Sequence, residues 1–351
     1  MVGRYEVSPV STMRISIVTD AWHPQVNGVV RTLSQTAKYG RELGHEIQFI
    51  TPESFSTYPC PTYPSIRLAL FPKRGVLRML KEFRPEAIHI ATEGPIGHAA
   101  MAWCRSLSLP CTTSYHTQFP EYIRARVPLP IRWSYAYLQR FHTRAVRTMV
   151  ATPSMRARLE AWGFRHLVIW ARGVDSTQFH PGPKAFLSDP RPISMYMGRV
   201  AVEKNIEAFL NLELPGSKCV VGDGPDLEHF RSRYPAVRFV GQKSGPELTA
   251  YLAAADVFVF PSLTDTFGLV LLEAMACGVP VAAFPVTGPI DVVVQGKTGI
   301  LHENLRHAVL EALKLDPADC IAYAKQHSWK IWTERFVSLL EPFKASRWDN
   351  V

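Results

Sequence analysis

Along the chain, short apolar runs rich in β-branched residues alternate with longer segments whose apolar residues recur at helical spacing. In the first half the strand-like runs are Arg14 to Thr19, Glu46 to Thr51, Ala87 to Ala91, Thr112 to Tyr115, Met149 to Ala151 and Leu167 to Ala171. In the second half they are Ile193 to Met197, Lys218 to Val221, Val237 to Val240, Val257 to Phe260 and Val279 to Phe284. Runs that are apolar throughout, with helices between them, indicate parallel strands covered on both faces. Each half therefore reads as a doubly wound α/β domain.

Between the halves, the polar stretch His180 to Pro192 carries Pro181, Pro183, Pro190 and Pro192. Proline removes backbone donors and disfavours helix in the residue before it, so this stretch reads as the linker, with a boundary near residue 180. The resulting division is a disordered extension over 1–12, a first domain over 13–180, a second over 181–327, and a C-terminal helix and tail over 328–351. The apolar-periodic segment Ile331 to Phe343 is expected to pack back on the first domain. The one stretch that could suggest a membrane span, Phe267 to Val286, contains Glu273, Gly278 and Pro280. A carboxylate inside a span is costly, so it reads as a helix followed by a buried strand.

With 351 residues, 47% hydrophobic and 20% charged, the chain is globular, and two domains fit its length. The six cysteines are scattered, with no CxxC pair and no histidine cluster at ligand spacing. Reduced thiols, no metal site and a cytoplasmic protein are the expectation. The net charge of +9 is uneven, with 22 Lys and Arg against 10 Asp and Glu over 1–172 and 17 against 20 over 173–351. Residues 120–172 hold ten arginines and two acids, with Trp133, Tyr135, Tyr137, Phe141 and Trp162 among them. Arg124, Arg126, Arg132, Trp133, Arg140, Arg144 and Arg147 are the candidates for an anionic membrane surface. A nucleic-acid patch or a solvated helix face would show the same composition.

Candidate chemistry concentrates in the less basic half. After the run Val257 to Phe260 comes Pro261-Ser262-Leu263-Thr264-Asp265-Thr266-Phe267-Gly268-Leu269, with a helix starting near Phe267 or Gly268. Free N–H groups at such a start can hold a diphosphate, and Gly268 permits close approach. Asp265 and Glu273 lie eight residues apart, about 12 Å if wholly helical, so one acid could hold each end of a nucleotide sugar. Glu273 sits in an otherwise apolar helix, where an unpaired carboxylate is expensive. Gly198-Arg199 and Lys204 follow the run Ile193 to Met197, a planar fork and a point charge suited to a diphosphate. In the first half, Asn27-Gly28-Val29 opens a helix after strand one, and His116 ends another strand within Ser114-Tyr115-His116-Thr117-Gln118-Phe119-Pro120.

These motifs, in this order from Met13 to about residue 340, resemble the family-4 retaining glycosyltransferases of the GT-B fold, most of all the glycolipid-forming, diacylglycerol glycosyltransferase-like branch. The resemblance implies two Rossmann-like domains facing across a cleft, with a C-terminal helix crossing back. It also implies Arg199 and Lys204 on the diphosphate, Glu273 on the ribose, Asp265 on the transferred sugar, His116 beside that sugar and Gly28 at the phosphate. Val240 and Gly222-Asp223-Gly224 would flank the base, and Gly198, Phe267, Gly268 and Leu269 would line the nucleotide sugar. The family's usual first acid is Glu; Asp265 is a shorter arm, which bears on the identity of the sugar. No cofactor and no obligatory metal are implied.

The expected function is transfer of glucose or glucuronate from a UDP-sugar to diacylglycerol by a hexosyltransferase peripheral on the cytoplasmic face of an anionic membrane, with no nucleic-acid partner. A GDP-mannose-dependent mannosyltransferase on a lipid acceptor is the alternative. A nucleotide-sugar epimerase and a basic nucleic-acid-binding protein are the rivals of other classes.

Overall fold

The computed structural model describes residues 12–25, 27–60, 63–124 and 130–351. Nearly all of the expected extension and Arg126 lie outside these residues. Two compact units are present, one built from the first 120 residues together with 128–171 and 329–351, the other from 172–328 with 121–127.

In the first unit, β1 (Arg14–Val18), β2 (Glu46–Ile50), β5 (Ala87–Ile90), β6 (Thr112–Tyr115), β7 (Arg147–Val150) and β8 (Leu167–Ile169) form a parallel sheet in the order β2-β1-β5-β6-β7-β8. Alternate residues face opposite sides. Ile15 and Ile17 join Leu33, Met149, Trp170 and Phe336 in one core, while Val18, Ile88 and Ile90 join Val76, Leu80, Ile96, Met101 and Phe141 in another. An antiparallel hairpin, β3 (Thr57–Cys60) and β4 (Tyr63–Ala69), lies apart from this sheet. Its prolines hide it from a reading by apolar runs, because proline is confined to edges and bulges of sheets.

The second unit repeats the plan with β9 (Ile193–Met197), β10 (Ser217–Val221), β11 (Arg238–Phe239), β12 (Val257–Phe260), β13 (Val281–Ala283) and β14 (Gly299–Leu301). The order is β11-β10-β9-β12-β13-β14, all parallel. The stretch Phe267 to Val286 contains the helix Leu269–Ala276 and then β13, and no described helix is long and apolar enough to cross a membrane.

The boundary differs from expectation. The first unit ends at Ala171 and resumes at Trp329, and the proline-bearing stretch is not a free linker. Lys184 Nζ donates to the Ala255 carbonyl, and Arg191 donates to Ala254 O at 2.9 Å and pairs with Asp256 at 2.5 Å. Both cations thus cap the carbonyl end of the helix Gly245–Ala254, which ties residues 184–191 to the second unit. The helix Trp329–Leu339 packs on Gly28–Glu42, with Trp170 Nε1 donating to Trp332 O at 3.0 Å.

Buried Asp20, just past β1, accepts from Ile96 N (2.8 Å), Gly97 N (3.1 Å) and Thr92 Oγ1 (3.0 Å), capping the helix Pro95–Ser106. Burial outweighs these bonds and pushes its carboxyl up to about 6 from an ordinary 3.8. The native state therefore holds this proton more tightly than the unfolded chain. Its ionisation costs stability as pH rises from about 4 through about 6, after which the loss is complete, at about 3 kcal/mol. Asp20→Asn is expected to abolish this component: the wild-type minus variant stability, from urea melts across pH 4–7, should fall over that window, and a flat difference would contradict the assignment.

Candidate active site

The segments singled out in the second half all leave the carboxyl ends of parallel strands. β9 runs into residues 198–205, β10 into 222–224, β11 into Val240 and β12 into 261–268. The chain steps from β9 to β10 on one side, while β12 lies on the other, so the strand order reverses between β9 and β12. Crevices at such a reversal are where open α/β sheets bind ligands.

Several bonds join these loops. Gly198 N donates to Val221 O (3.0 Å), Val200 N to Asp223 O (2.9 Å) and Gly222 N to Gly241 O (2.9 Å). Gly222 has φ +145°, and a Cβ there would stand 1.8 Å from Gly198 O, so only glycine lets the two backbones touch. Tyr196 Oη donates to Arg199 O at 2.7 Å. On the other side of β9, Asn205 Nδ2 donates to Pro261 O (3.0 Å) and Thr264 Oγ1 to Glu203 O (3.2 Å). These two braces bring Lys204 to Asp265, Nζ to Oδ1 at 2.6 Å, with both side chains largely buried.

The helix Leu269–Ala276 begins immediately beyond. Its N-cap is Gly268, at φ +80° and ψ 71°, a left-handed conformation that favours glycine. Gly268 has no side chain to cap the helix, which leaves its first amides without an N-cap partner of their own and suited to an anion. Helix proper starts at Leu269, two residues after buried Phe267. Glu273, four residues into the helix, is only 3% exposed. Its charge adds to burial, the larger cause, in pushing the Cys277 thiol up to about 12, which leaves that cysteine inert.

The first-half candidates are placed differently. Gly28 opens the helix Gly28–Glu42 and is exposed, but Asn27 Oδ1 already accepts from Val29 N and Val30 N, each at 3.0 Å. A phosphate at Gly28 would have to displace that cap. His116 is half-buried directly after β6, its ring edge-on to Trp170 at 5.9 Å.

Arg124, Arg132, Trp133, Arg140 and Arg144 are exposed. Arg147 is half-buried and still partly exposed: it pairs with Glu341 at 2.7 Å and donates to Leu339 O, which ties it to the C-terminal segment. Of the interleaved aromatics, Trp133 and Tyr137 face solvent. Tyr135 and Phe141 are core, and Trp162 stacks on Tyr135 at 4.1 Å.

A polar group that the sequence motifs do not mark lies beyond β5. Glu93 Oε1 lies 2.9 Å from His142 Nε2, and His142 Nδ1 lies 2.9 Å from Thr113 Oγ1. His98 Nε2 meets Tyr137 Oη at 2.5 Å. The available signal was an acid directly between a buried strand and a proline-opened helix.

Residues 26–178 match the family described as Glycosyltransferase Family 4, and residues 191–314 the family described as Glycosyl transferases group 1. The chain is 30% identical over 315 residues to a GDP-mannose-dependent alpha-mannosyltransferase of Mycobacterium tuberculosis, covering 82% of this chain and 83% of that one. It is 33% identical over 310 residues to a sulfoquinovosyl transferase of Arabidopsis thaliana, covering 79% of this chain and 61% of the relative. It is 26% identical over 350 residues to an alpha-monoglucosyldiacylglycerol synthase of Streptococcus pneumoniae, covering 87% and 79%. Among solved structures, sucrose-phosphate synthase from Thermosynechococcus elongatus is similar with a TM-score of 0.71 at 21% identity, over 93% of this chain and 98% of that one. The Anabaena protein HepE, solved with UDP and glucose, gives 0.70 at 14% identity over the same shares. Two Rossmann-like units with parallel sheets, a 30% identical relative covered over most of its length and these structural neighbours agree: the chain belongs to the family-4 glycosyltransferases, hexosyltransferases of the GT-B fold.

Proposed function

We propose that the enzyme transfers glucose or glucuronate from a UDP-sugar to diacylglycerol, with retention of anomeric configuration, while docked peripherally on the cytoplasmic face of an anionic membrane. The observation that carries the donor half of this reading is the Lys204–Asp265 pair beside a helix start that no side chain caps. An ammonium has three donors, so Lys204 can keep Asp265 and still meet a phosphate oxygen. Arg199 supplies the second cation, Glu273 takes the ribose hydroxyls, and Asp265 meets the sugar. Gly198, Phe267, Gly268 and Leu269 line the nucleotide sugar, and Gly222 and Val240 flank the base. On the first unit, His116 takes the family's role beside the sugar and Gly28 its role at the phosphate.

In this scheme the anomeric C–O bond to the diphosphate breaks while the acceptor oxygen bonds the same face of that carbon. The departing phosphate oxygen takes the acceptor proton. Negative charge grows on the diphosphate as the bond breaks, and Arg199, Lys204 and the helix amides are set where that charge develops.

The acceptor half rests on the first unit's basic, aromatic exterior, where Arg132, Trp133, Arg140 and Arg144 face solvent; Arg124, also exposed, belongs to the segment 121–127 grouped with the second unit. Each cation near an anionic leaflet contributes about 1 kcal/mol. The relatives named for lipid acceptors favour the same class. A second reading, GDP-mannose as donor to a lipid acceptor, is favoured by the 30% identical relative named for that donor.

Incubating the enzyme with UDP-glucose, UDP-glucuronate and GDP-mannose over diacylglycerol vesicles, then separating the lipids, should yield a UDP-dependent glycolipid; a product from GDP-mannose alone would select the second reading. Lys204→Ala is expected to lower turnover by about 10²–10³-fold in protein that still folds, with some loss of melting temperature because Asp265 loses this cation; near-normal rates would remove Lys204 from the mechanism. Vesicle flotation should require anionic lipid and weaken as salt rises, and retention indifferent to both would contradict the docking.

A further inference from the structure

One exposed residue has no place in the site or in the arginine-bearing surface. Phe71 is 93% exposed, by far the most exposed large apolar side chain among the described residues, and Leu70 beside it is 43% exposed. Phe71 also has φ +47°, a left-handed conformation that bulky residues avoid.

This is not a loose tip. On one side Leu70 N donates to Ser56 O at 2.8 Å, tying the loop to the β3–β4 hairpin. On the other, Val76 N donates to Pro72 O at 2.9 Å, starting the helix Lys73–Phe83, and Trp103 Nε1 donates to Lys73 O at 2.7 Å. Both ends of the loop are anchored, and an unfavourable backbone conformation holds a phenyl ring in water. Outliers that surrounding structure enforces concentrate at functional positions.

The flanking chemistry indicates the partner. Lys73, Arg74, Arg78 and Lys81 of the following helix are exposed, and its one acid, Glu82, pairs with Arg78 at 3.9 Å. The buried side of that helix, through Val76 and Leu80, shares a single core with Ile96 and Met101 of the helix Pro95–Ser106 and with Phe141 of Ile131–His142. Three neighbouring helices therefore cover one face of the sheet. Their outer side carries Lys73, Arg74, Arg78, Lys81, Arg105, Arg132, Arg140 and Arg144, with Trp133 and Tyr137 exposed among them.

We infer that Leu70 and Phe71 form a hydrophobic wedge that enters the acyl boundary of an anionic bilayer, with Lys73 and Arg74 meeting the head groups beside it. An aromatic ring with adjacent cations suits that interface, where the ring leaves water and the charges stay at the phosphate level. This inference rests on the membrane reading above and adds the residues that insert.

The test is flotation of the full chain with phosphatidylcholine vesicles, with and without phosphatidylglycerol, alongside thermal melts. Phe71→Asn keeps a residue that tolerates positive φ and removes the ring. It should weaken retention on anionic vesicles by about 10-fold or more, the effect of leaving a phenyl unburied, and melt at or above the wild-type temperature. Phe71→Trp should restore retention. Equal retention of Phe71→Asn and wild type would overturn the wedge while leaving charge-driven docking in place. A large drop in melting temperature for Phe71→Asn would make Phe71 a packing residue and also overturn it. Wild-type protein that floats with neither vesicle would sink the membrane reading itself, and the wedge with it.

Discussion

The ion pair between Lys204 and Asp265 is the constraint around which the second unit is arranged. Its partners are 61 residues apart and meet at 2.6 Å only because β9 and β12 are neighbours in the sheet, so that the loops leaving them run side by side. The pair fixes a cation on Asp265, four residues before the helix Leu269–Ala276, whose amide ends favour negative charge. A short, largely buried, charge-assisted bond fixes position far better than a surface pair of long side chains. The glycines serve the same end: Gly222 lets the β10 loop lie against the β9 loop, and Gly268 starts the helix without a side chain over its amides.

The two units share a plan and differ where ligands would meet them. The first unit's opening helix is capped by Asn27, and the helix Pro95–Ser106 is capped by the buried carboxyl of Asp20. These helix starts are satisfied by carboxyl and amide side chains, whereas the N-cap at Gly268 offers none. Charge follows the same division, with the excess of cations in residues 1–172 and a slight excess of acids beyond. One unit thus sets the Lys204–Asp265 pair close in sequence before a glycine-started helix, and the other has a basic exterior with a polar interior around Glu93 and His142.

Much of this was legible in the sequence because parallel strands covered on both sides are written as unbroken apolar runs. Thr112 to Tyr115, Ile193 to Met197 and Val257 to Phe260 fall on the observed strands residue for residue. The β3–β4 hairpin was not legible, since its prolines imitate a loop, and β14 is only three residues long. The stretch His180 to Pro192 misled for a related reason. Its prolines signal irregular backbone, and nothing in composition says that Lys184 and Arg191 cap a helix C-terminus nearby. The site loops were legible as motifs, but the direct bond between Lys204 and Asp265 was not, because it depends on which strands are neighbours. Arg147 resembles its exposed neighbours in the sequence, and its pairing with Glu341, a partner 194 residues away, could not be read there.

The central claim is that the second unit grips a nucleoside diphosphate through Arg199, Lys204 and the open helix start. Isothermal titration of the intact enzyme with UDP and with GDP tests it most directly. Saturable heat with at least one of them, at one site per chain and weakening with salt, is the predicted result. Titrations in which neither nucleotide gives more than the heat of dilution would contradict the account.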